Sequence, residues 1–360
     1  MWPFQLLVKP VSGSCNLRCD YCFYLDVPNR CYPDAKETVM SDHILRKLVR
    51  SYLKLGFSTS VFSWQGGEPT LAGLDFFKKA VRLETEFGNK GQRIGNALQT
   101  NGTRIDRGWA EFLAKYRFLV GLSIDGPKDI HDSARGEGSW SKAIDCADLL
   151  RQYGIKFNIL TVVHQGNVTK AREIYQFHRQ QDFKNLQFIP AVDVNSETGK
   201  LKKHSIKSKD YGKFLCNLFD QWMESGDKNS VSIRLFDAIF ENLASTKASS
   251  LCTVSEQCGR YLVVEHNGDI YSCDFFVYPE HLLGNLNDTT WKELFERRSN
   301  FEEQKVASEK ACGTCPWWDL CHGGCPKNRL SSNRTHLCQG YRMFFSHIQN
   351  WFETIGHSLD

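Results

Sequence analysis

Apolar positions along this chain alternate between two rhythms up to about residue 245. Short runs rich in Val, Ile, Leu and Phe read as buried parallel strands: FQLLVKP (4–10), TSVFSWQ (59–65), IGNALQT (94–100), FLVGLSID (118–125), KFNILTVV (156–163) and LQFIPAV (186–192). Helical patterns stand between them. SDHILRKLVRSYLKL carries an apolar stripe at Ile44, Leu45, Leu48 and Tyr52, with Ser41 placed to cap its N-terminus. LDFFKKAVRLETEF, SKAIDCADLLRQYG (with Gly154 at its C-terminal end) and NVTKAREIYQFHRQQ follow the same rule. Strand–helix alternation predicts an α/β fold with a parallel sheet and right-handed crossovers. Six such units predict an open, partial barrel, TIM-like, in which binding groups sit at the carboxyl ends of the strands. KDYGKFLCNLFDQWMESG and SIRLFDAIFENLAS add two helices. From Cys252 the texture changes, because cysteines crowd together and long periodic segments thin out. YLVVEHNGDIYSCDFF predicts a hairpin with a type I′ turn at Asn267-Gly268. TTWKELFERRSN reads as a short helix and QGYRMFFSHIQNWFETIG as a closing amphipathic one. The change of texture predicts two domains, 1–245 and 246–360.

Composition narrows the classes. The 360 residues are 41% hydrophobic and 12% aromatic, enough for a sizeable core. The formal net charge of +4 comes from 45 basic against 41 acidic side chains, too even for a dedicated nucleic-acid binder. KLKKHSIKSK, from Lys200, reads as a solvated loop. No apolar run approaches the ~18 residues of a membrane span, and MWPFQLLVKP has neither the basic n-region nor the long h-region of a signal peptide. The expectation is a cytoplasmic protein with no nucleic-acid or membrane partner. Fourteen cysteines in a reducing compartment point to metal rather than to disulfides.

The first cysteines, Cys15, Cys19 and Cys22, follow the first strand as C-x3-C-x2-C in CNLRCDYCFY. A tight loop can turn three thiolates onto one iron–sulfur cubane, leaving one iron open for a substrate, as catalytic metals keep a free position. Zinc is the alternative, with Cys31 as the nearest fourth ligand. One unit later comes QGGEP (65–69), whose glycines let backbone approach a ligand closely. QTNGT (99–103) and SIDGP (123–127) end the next two strands, and Arg135 follows. In the second domain lie Cys252, Cys258, Cys273, Cys312, Cys315, Cys321, Cys325 and Cys338. Eight thiolates suit two fully ligated four-iron clusters or two zinc ions, and spacing does not separate these. Cys146 and Cys216 fall in helical apolar patterns and read as core, while Cys31 is unassigned.

The C-x3-C-x2-C loop with Tyr21 before its last cysteine resembles the radical S-adenosylmethionine (SAM) enzymes. Gly268 four residues ahead of Cys273, within the eight-cysteine array, resembles the SPASM domain, an auxiliary-cluster extension. LLVKPVSGSCNLRCDYCFYL, QGGEPTLAG, LQTNGT, FLVGLSIDGP, LQFIP, GDIYSCDFF and CHGGCPKNR together resemble the anaerobic sulfatase-maturating enzymes over nearly the whole chain. The resemblance implies a partial (β/α)6 radical SAM barrel with a C-terminal SPASM domain. It implies three [4Fe–4S] clusters: a SAM-binding one on Cys15, Cys19 and Cys22, one on Cys252, Cys258, Cys273 and Cys325, and one on Cys312, Cys315, Cys321 and Cys338. It implies oxidation of a sulfatase cysteine or serine to Cα-formylglycine, begun by an adenosyl radical that removes hydrogen from Cβ. Tyr21, Gly66, Gly67, Glu68, Ser123, Arg135 and Val192 then contact SAM, and Tyr24 and Gln65 face the substrate peptide. Val192 stands where relatives tend to have leucine, which keeps an apolar contact. Asp274, directly after Cys273, becomes the base, expected between a cluster and an apolar pocket, where burial pushes a carboxyl up. The partners implied are an unfolded or nascent sulfatase polypeptide and a flavodoxin- or ferredoxin-type electron donor, and the chain is expected to be a monomer. The rival reading within the superfamily is a SPASM peptide maturase forming thioether or carbon–carbon cross-links. The short stretch ahead of Cys15 argues against it, since many such maturases carry an N-terminal recognition domain.

Overall fold

The computed structural model describes residues 3–35, 38–195, 198, 200–244, 251–258, 261–306, 312–330 and 334–356. Contacts divide the chain into two compact units, residues 1–123, 135–158 and 260–301 in one, and 124–134, 159–259 and 302–360 in the other.

In the first unit, strands β1 (Gln5–Val8), β2 (Thr59–Trp64), β3 (Arg93–Thr100) and β4 (Leu119–Ser123) run parallel in chain order. All four lie within two residues of their predicted bounds. Helices α1 (Val27–Cys31), α2 (Asp42–Leu53), α3 (Leu74–Phe87), α4 (Arg107–Lys115) and α6 (Ser139–Gln152) connect or flank them. Ser41 caps α2 by accepting the Ile44 N–H at 3.3 Å, and the predicted stripe of Ile44, Leu45, Leu48 and Tyr52 is buried. Burial alternates along β2, where Ser60, Phe62 and Trp64 are buried and the residues between them are half-buried or exposed. The strands are therefore not uniformly buried, as their apolar composition predicts.

Strand β8 (Tyr261–Val264) joins this sheet parallel to β1, with Gln5 opposite Tyr261 and Val8 opposite Val264. Strands β9 (Asp269–Tyr271) and β10 (Leu282–Asn285) continue it antiparallel. Part of the cysteine-rich sequence, from Tyr261 to Asn285, thus extends the first sheet. The hairpin is real but its turn differs from the predicted type I′. Gly268 N–H bonds to Glu265 O at 2.9 Å, Glu265 N–H bonds to Asp269 O at 2.9 Å, and Gly268 alone takes positive φ, +91°. That is a three-residue loop, a type I turn closed by a left-handed glycine. Tyr24, Val27, Val263, Tyr271 and Val277 form one buried cluster beneath it.

The second unit holds most of β5 (Phe157–Val163), with β6 (Asn185–Pro190) and β7 (Ser232–Ile233) parallel to it. Helices α7 (Ala171–Gln180), α8 (Ser208–Glu224), α9 (Arg234–Leu243), α11 (Trp318–Cys321) and α12 (Cys338–Gly356) pack there. The short α5 (Lys128–Arg135) and α10 (Trp291–Val306) each run from one unit into the other along the chain. The sequence boundary at 245/246 falls outside the described residues.

Candidate active site and cluster-binding cysteines

The loop after β1 is shaped by its own backbone. Ser12 N–H bonds to Lys9 O at 3.2 Å, Ser14 N–H to Val11 O at 3.0 Å, and Cys22 N–H to Cys19 O at 3.0 Å. Cys15, Cys19 and Cys22 are half-buried on it. The Leu17 N–H lies 3.4 Å from Cys15 Sγ, and the Asn101 amide nitrogen 3.8 Å. Burial pushes the Cys15 thiol up, and these two donors work against it. Donors aimed at sulfur favour the thiolate that a cluster requires.

QGGEP is fastened onto this loop. Gly67 N–H bonds to Ser12 O and Glu68 N–H to Ser14 O, each at 2.8 Å. A Cβ on Gly67 would stand 1.9 Å from Ser14 O, so only glycine allows the two loops to touch. Gly66, at φ +130°, is under the same constraint from Ser12 O at 2.5 Å. Glu68, expected at the cofactor, is instead fully buried. Its Oε1 accepts from Thr70 N–H (3.1 Å), Thr70 Oγ1 (2.6 Å) and Thr100 Oγ1 (2.9 Å), and its Oε2 from Asn101 N–H (2.8 Å). It ties the loop after β2 to the loop after β3. A motif position does not say which way its side chain turns.

The Arg135 guanidinium lies 5.5 Å from the Tyr21 ring centroid, and both residues are buried. Arg135 is therefore not the surface residue its position in the sequence permits. Ser123 ends β4, where its Oγ accepts from Gln99 Nε2 at 3.1 Å. Tyr21, Gly66, Gly67, Ser123 and Arg135 all belong to the first unit. Val192 lies in the second, buried just past β6, its carbonyl accepting from Lys327 Nζ.

Asp274 opens a short 3-10 turn after β9 and is 8% exposed. Its Oδ1 accepts from Tyr261 Oη at 3.1 Å, and its Oδ2 lies 3.7 Å from Lys9 Nζ. Lys9 is 1% exposed, and its ammonium sits 4.3 Å from the Tyr24 ring centroid. Burial lowers the Lys9 pKa, and the carboxylates of Asp274 and Glu265 oppose that. The Tyr24 hydroxyl donates to Glu265, itself fully buried. The surroundings of Asp274 are thus ionic, not the apolar pocket expected. Tyr24, expected at the substrate, is 2% exposed and underlies Lys9. Gln65 is half-buried, its N–H on Val8 O at 2.8 Å. Sequence reasoning missed Lys9, Tyr261 and Glu265. The signal was a lysine closing the apolar run QLLV and a glutamate closing YLVV, since a charge at the end of a buried strand needs a partner.

Seven of the eight C-terminal thiols lie in the second unit, in separate places. Cys312, Cys315, Cys321 and Cys338 line one cavity together with Trp317 and Tyr341. They are four thiols around one opening, the number of ligands that a four-iron cluster takes. A four-iron cage spreads its ligands over its corners, which this arrangement fits. The turn His322-Gly323-Gly324 is left-handed throughout, with φ of 45°, 74° and 69°. It aims the Gly323 N–H at Cys321, opposing the burial that pushes that thiol up to about 12. Cys325 is absent from the lining of this cavity. Cys252, Cys258 and Cys325 gather instead around Lys305. Cys273 belongs to the first unit, where Tyr261 Oη lies 3.3 Å from its Sγ. Cys31 Sγ meets Val277 O at 3.3 Å; Cys146, in α6, is buried as a core reading requires, whereas Cys216, in α8, is only half-buried.

A three-thiol loop at the end of β1, clamped by a di-glycine loop at the end of β2, defines a radical SAM protein with an iron–sulfur extension. Residues 10–178 match the radical SAM superfamily and residues 252–316 an iron–sulfur cluster-binding domain, SPASM. The chain is 42% identical over 360 residues to the cysteine-type anaerobic sulfatase-maturating enzyme of Clostridium perfringens, covering 96% of each. It is 35% identical over 385 residues to the serine-type enzyme of Bacteroides thetaiotaomicron, covering 99% of this chain and 92% of the other. A solved structure described as native anSMEcpe with bound AdoMet and Cp18Cys peptide superposes with a TM-score of 0.90 at 40% identity, covering 99% and 100% of the two chains. This chain belongs to the anaerobic sulfatase-maturating enzymes. Its fold is the radical SAM α/β fold with a SPASM domain, and its cofactors are SAM, a SAM-binding [4Fe–4S] cluster and two auxiliary clusters. It is a radical SAM oxidoreductase that forms Cα-formylglycine on a sulfatase peptide.

Proposed function

We propose that Asp274 is the base of this oxidation, taking the thiol or hydroxyl proton of the target cysteine or serine as Cβ is oxidised. The observation that carries this is that both Asp274 oxygens are engaged by side chains, Tyr261 and Lys9, in a nearly closed site beside Cys273. A carboxylate that only capped its turn would face backbone N–H groups instead. Lys9 compensates the negative charge that a buried carboxylate carries, and Tyr24 and Glu265 hold Lys9 in place. SAM bound at its cluster supplies the radical that removes the Cβ hydrogen.

Around it, Cys15, Cys19 and Cys22 hold the first cluster. Arg135, beside the Tyr21 ring, and Tyr21 itself contact SAM, Gly66 and Gly67 bring backbone close to the SAM amino group, and Ser123 offers a hydroxyl. Val192 supplies an apolar surface for adenine, Gln65 faces the peptide, and Glu68 holds the loops rather than the ligand. Cys312, Cys315, Cys321 and Cys338 form one auxiliary set, supported by their shared cavity, and Cys252, Cys258, Cys273 and Cys325 the other. In this reading residues 1–245 carry the radical chemistry and 246–360 the auxiliary clusters. The target is an unfolded or nascent sulfatase polypeptide, because a folded active site would hide the residue to be oxidised. Reducing electrons come from a flavodoxin- or ferredoxin-type carrier to a monomeric, cytoplasmic enzyme, a reducing compartment that suits a chain of fourteen cysteines.

The test is anaerobic turnover of a sulfatase peptide with SAM and a reductant, following 5′-deoxyadenosine and peptide aldehyde together. Asp274→Asn is expected to cleave SAM while losing at least 100-fold in aldehyde, in the range of a lost general base. Aldehyde formed at the wild-type rate by this variant would remove Asp274 from the role.

A further inference from the structure

Lys305 ends on an unusual set of partners. It is 2% exposed near the end of α10, and its Nζ donates to three backbone carbonyls: Gly324 at 2.6 Å, Cys252 at 3.1 Å and Thr253 at 3.2 Å. Two of those carbonyls belong to one cysteine segment, 252–254, and the third precedes Cys325. One ammonium therefore joins two segments that are 70 residues apart in sequence. Burial lowers its pKa, while the thiols of Cys258, Cys325 and Cys252, as anions, oppose that. A second cation stands beside it, since the Arg329 guanidinium donates to Lys305 O at 3.3 Å. Burial lowers the Arg329 pKa, and the thiols of Cys258, Cys325, Cys312 and Cys321, as anions, oppose that. Three carbonyl acceptors would anchor a lysine anywhere. What needs explanation is why a buried cation is lodged among thiols that become anionic on binding iron.

We propose that Lys305 sets the reduction potential of the auxiliary cluster held by Cys252, Cys258 and Cys325, raising it so that this cluster accepts the substrate's second electron. A four-thiolate [4Fe–4S] cluster carries net charge −2 when oxidised and −3 when reduced. A fixed positive charge close by stabilises the reduced form more, and burial keeps that difference large by limiting solvent screening. The electron bookkeeping closes: one hydrogen atom leaves Cβ, one proton goes to the base, and one electron passes to the cluster, which is reduced by one unit. The carbonyls fix where the ammonium sits; the charge does the tuning. The proposal rests on the reading that Cys252, Cys258 and Cys325 share one cluster.

The experiment is an anaerobic redox titration of the full-length, iron-loaded enzyme, followed by electron paramagnetic resonance, for wild type, Lys305→Met and Lys305→Arg. The SAM-binding cluster is recognised by the change in its signal on adding SAM. Lys305→Met is expected to shift one auxiliary couple downward by at least tenfold in its reduction equilibrium, about 59 mV for one electron. Lys305→Arg, which keeps the charge, is expected to stay within threefold of wild type. A Lys305→Met enzyme with full iron content and unmoved potentials overturns the proposal. So does loss of about four irons per chain from Lys305→Met, which would make the lysine a structural clamp. Cys258→Ala tests the underlying assignment separately: if its iron content equals that of wild type, the ligand reading is wrong, whatever Lys305 does.

Discussion

Lys9 is a charge without water around it, and its neighbours explain how it is tolerated. Asp274 and Glu265 supply opposite charge, and the Tyr24 ring supplies a π-face at 4.3 Å. Breaking a buried pair by removing one partner costs about 3–5 kcal/mol, far more than the pair contributes over an apolar replacement. Lys9→Met leaves Asp274 buried without its counter-charge. Its aldehyde yield is expected to fall at least tenfold while 5′-deoxyadenosine formation persists, measured on the same peptide. Equal loss of both products would place Lys9 in SAM binding instead. At Gly67 the constraint is steric, because Ser14 O leaves no room for a Cβ. Gly67→Ala must push the two loops apart at a cost of about 1–3 kcal/mol. It is expected to lose about four irons per chain on anaerobic purification, the content of one cubane.

At the scale of elements, α3 lies against the sheet with a buried carboxyl. Glu84, 5% exposed, accepts from Asn96 Nδ2 at 2.8 Å, and burial pushes it up to about 8. The folded chain keeps this proton up to about pH 8, while the unfolded chain releases it near 4.5. Stability from this group is therefore present below pH 4.5 and falls as pH rises towards 8, by about 3 kcal/mol between pH 4.5 and 7. Glu84→Gln is expected to raise the melting temperature at pH 8 and to change it little at pH 5, read by thermal unfolding at both. The helices α8 and α12 meet through Gly212 and Gly340, where a Cβ on Gly340 would lie 2.3 Å from Ser208 O. Neither glycine looks special in the sequence, because only a crossing of two helices makes their lack of a side chain matter.

For the molecule as a whole, the three cysteine sets predict about 12 irons per chain when every cubane is loaded. Cys321→Ala is expected to lose about four of them and to leave SAM cleavage intact, as measured by iron analysis and 5′-deoxyadenosine yield. Loss of SAM cleavage would mean that the auxiliary and SAM-binding sites are not independent. Among the described residues no helix is long and apolar enough to cross a membrane.

The sequence by itself determined the rhythm of strands and helices, the loops that carry thiols, and the glycines between them. These are local properties: apolar period, capping residues and cysteine spacing act over a few neighbouring positions. It singles out Asp274 as a candidate base, but only by likeness to relatives. Tertiary structure decided what lies far apart in the chain. It brought Lys9 to Asp274 across 265 positions and Lys305 to Cys252 across 53. It turned Glu68 inward to join two loops, and made the hairpin at 261–271 an extension of the first sheet. A side chain's direction and the partner of a buried charge depend on which surfaces pack together, and no run of neighbouring residues encodes that.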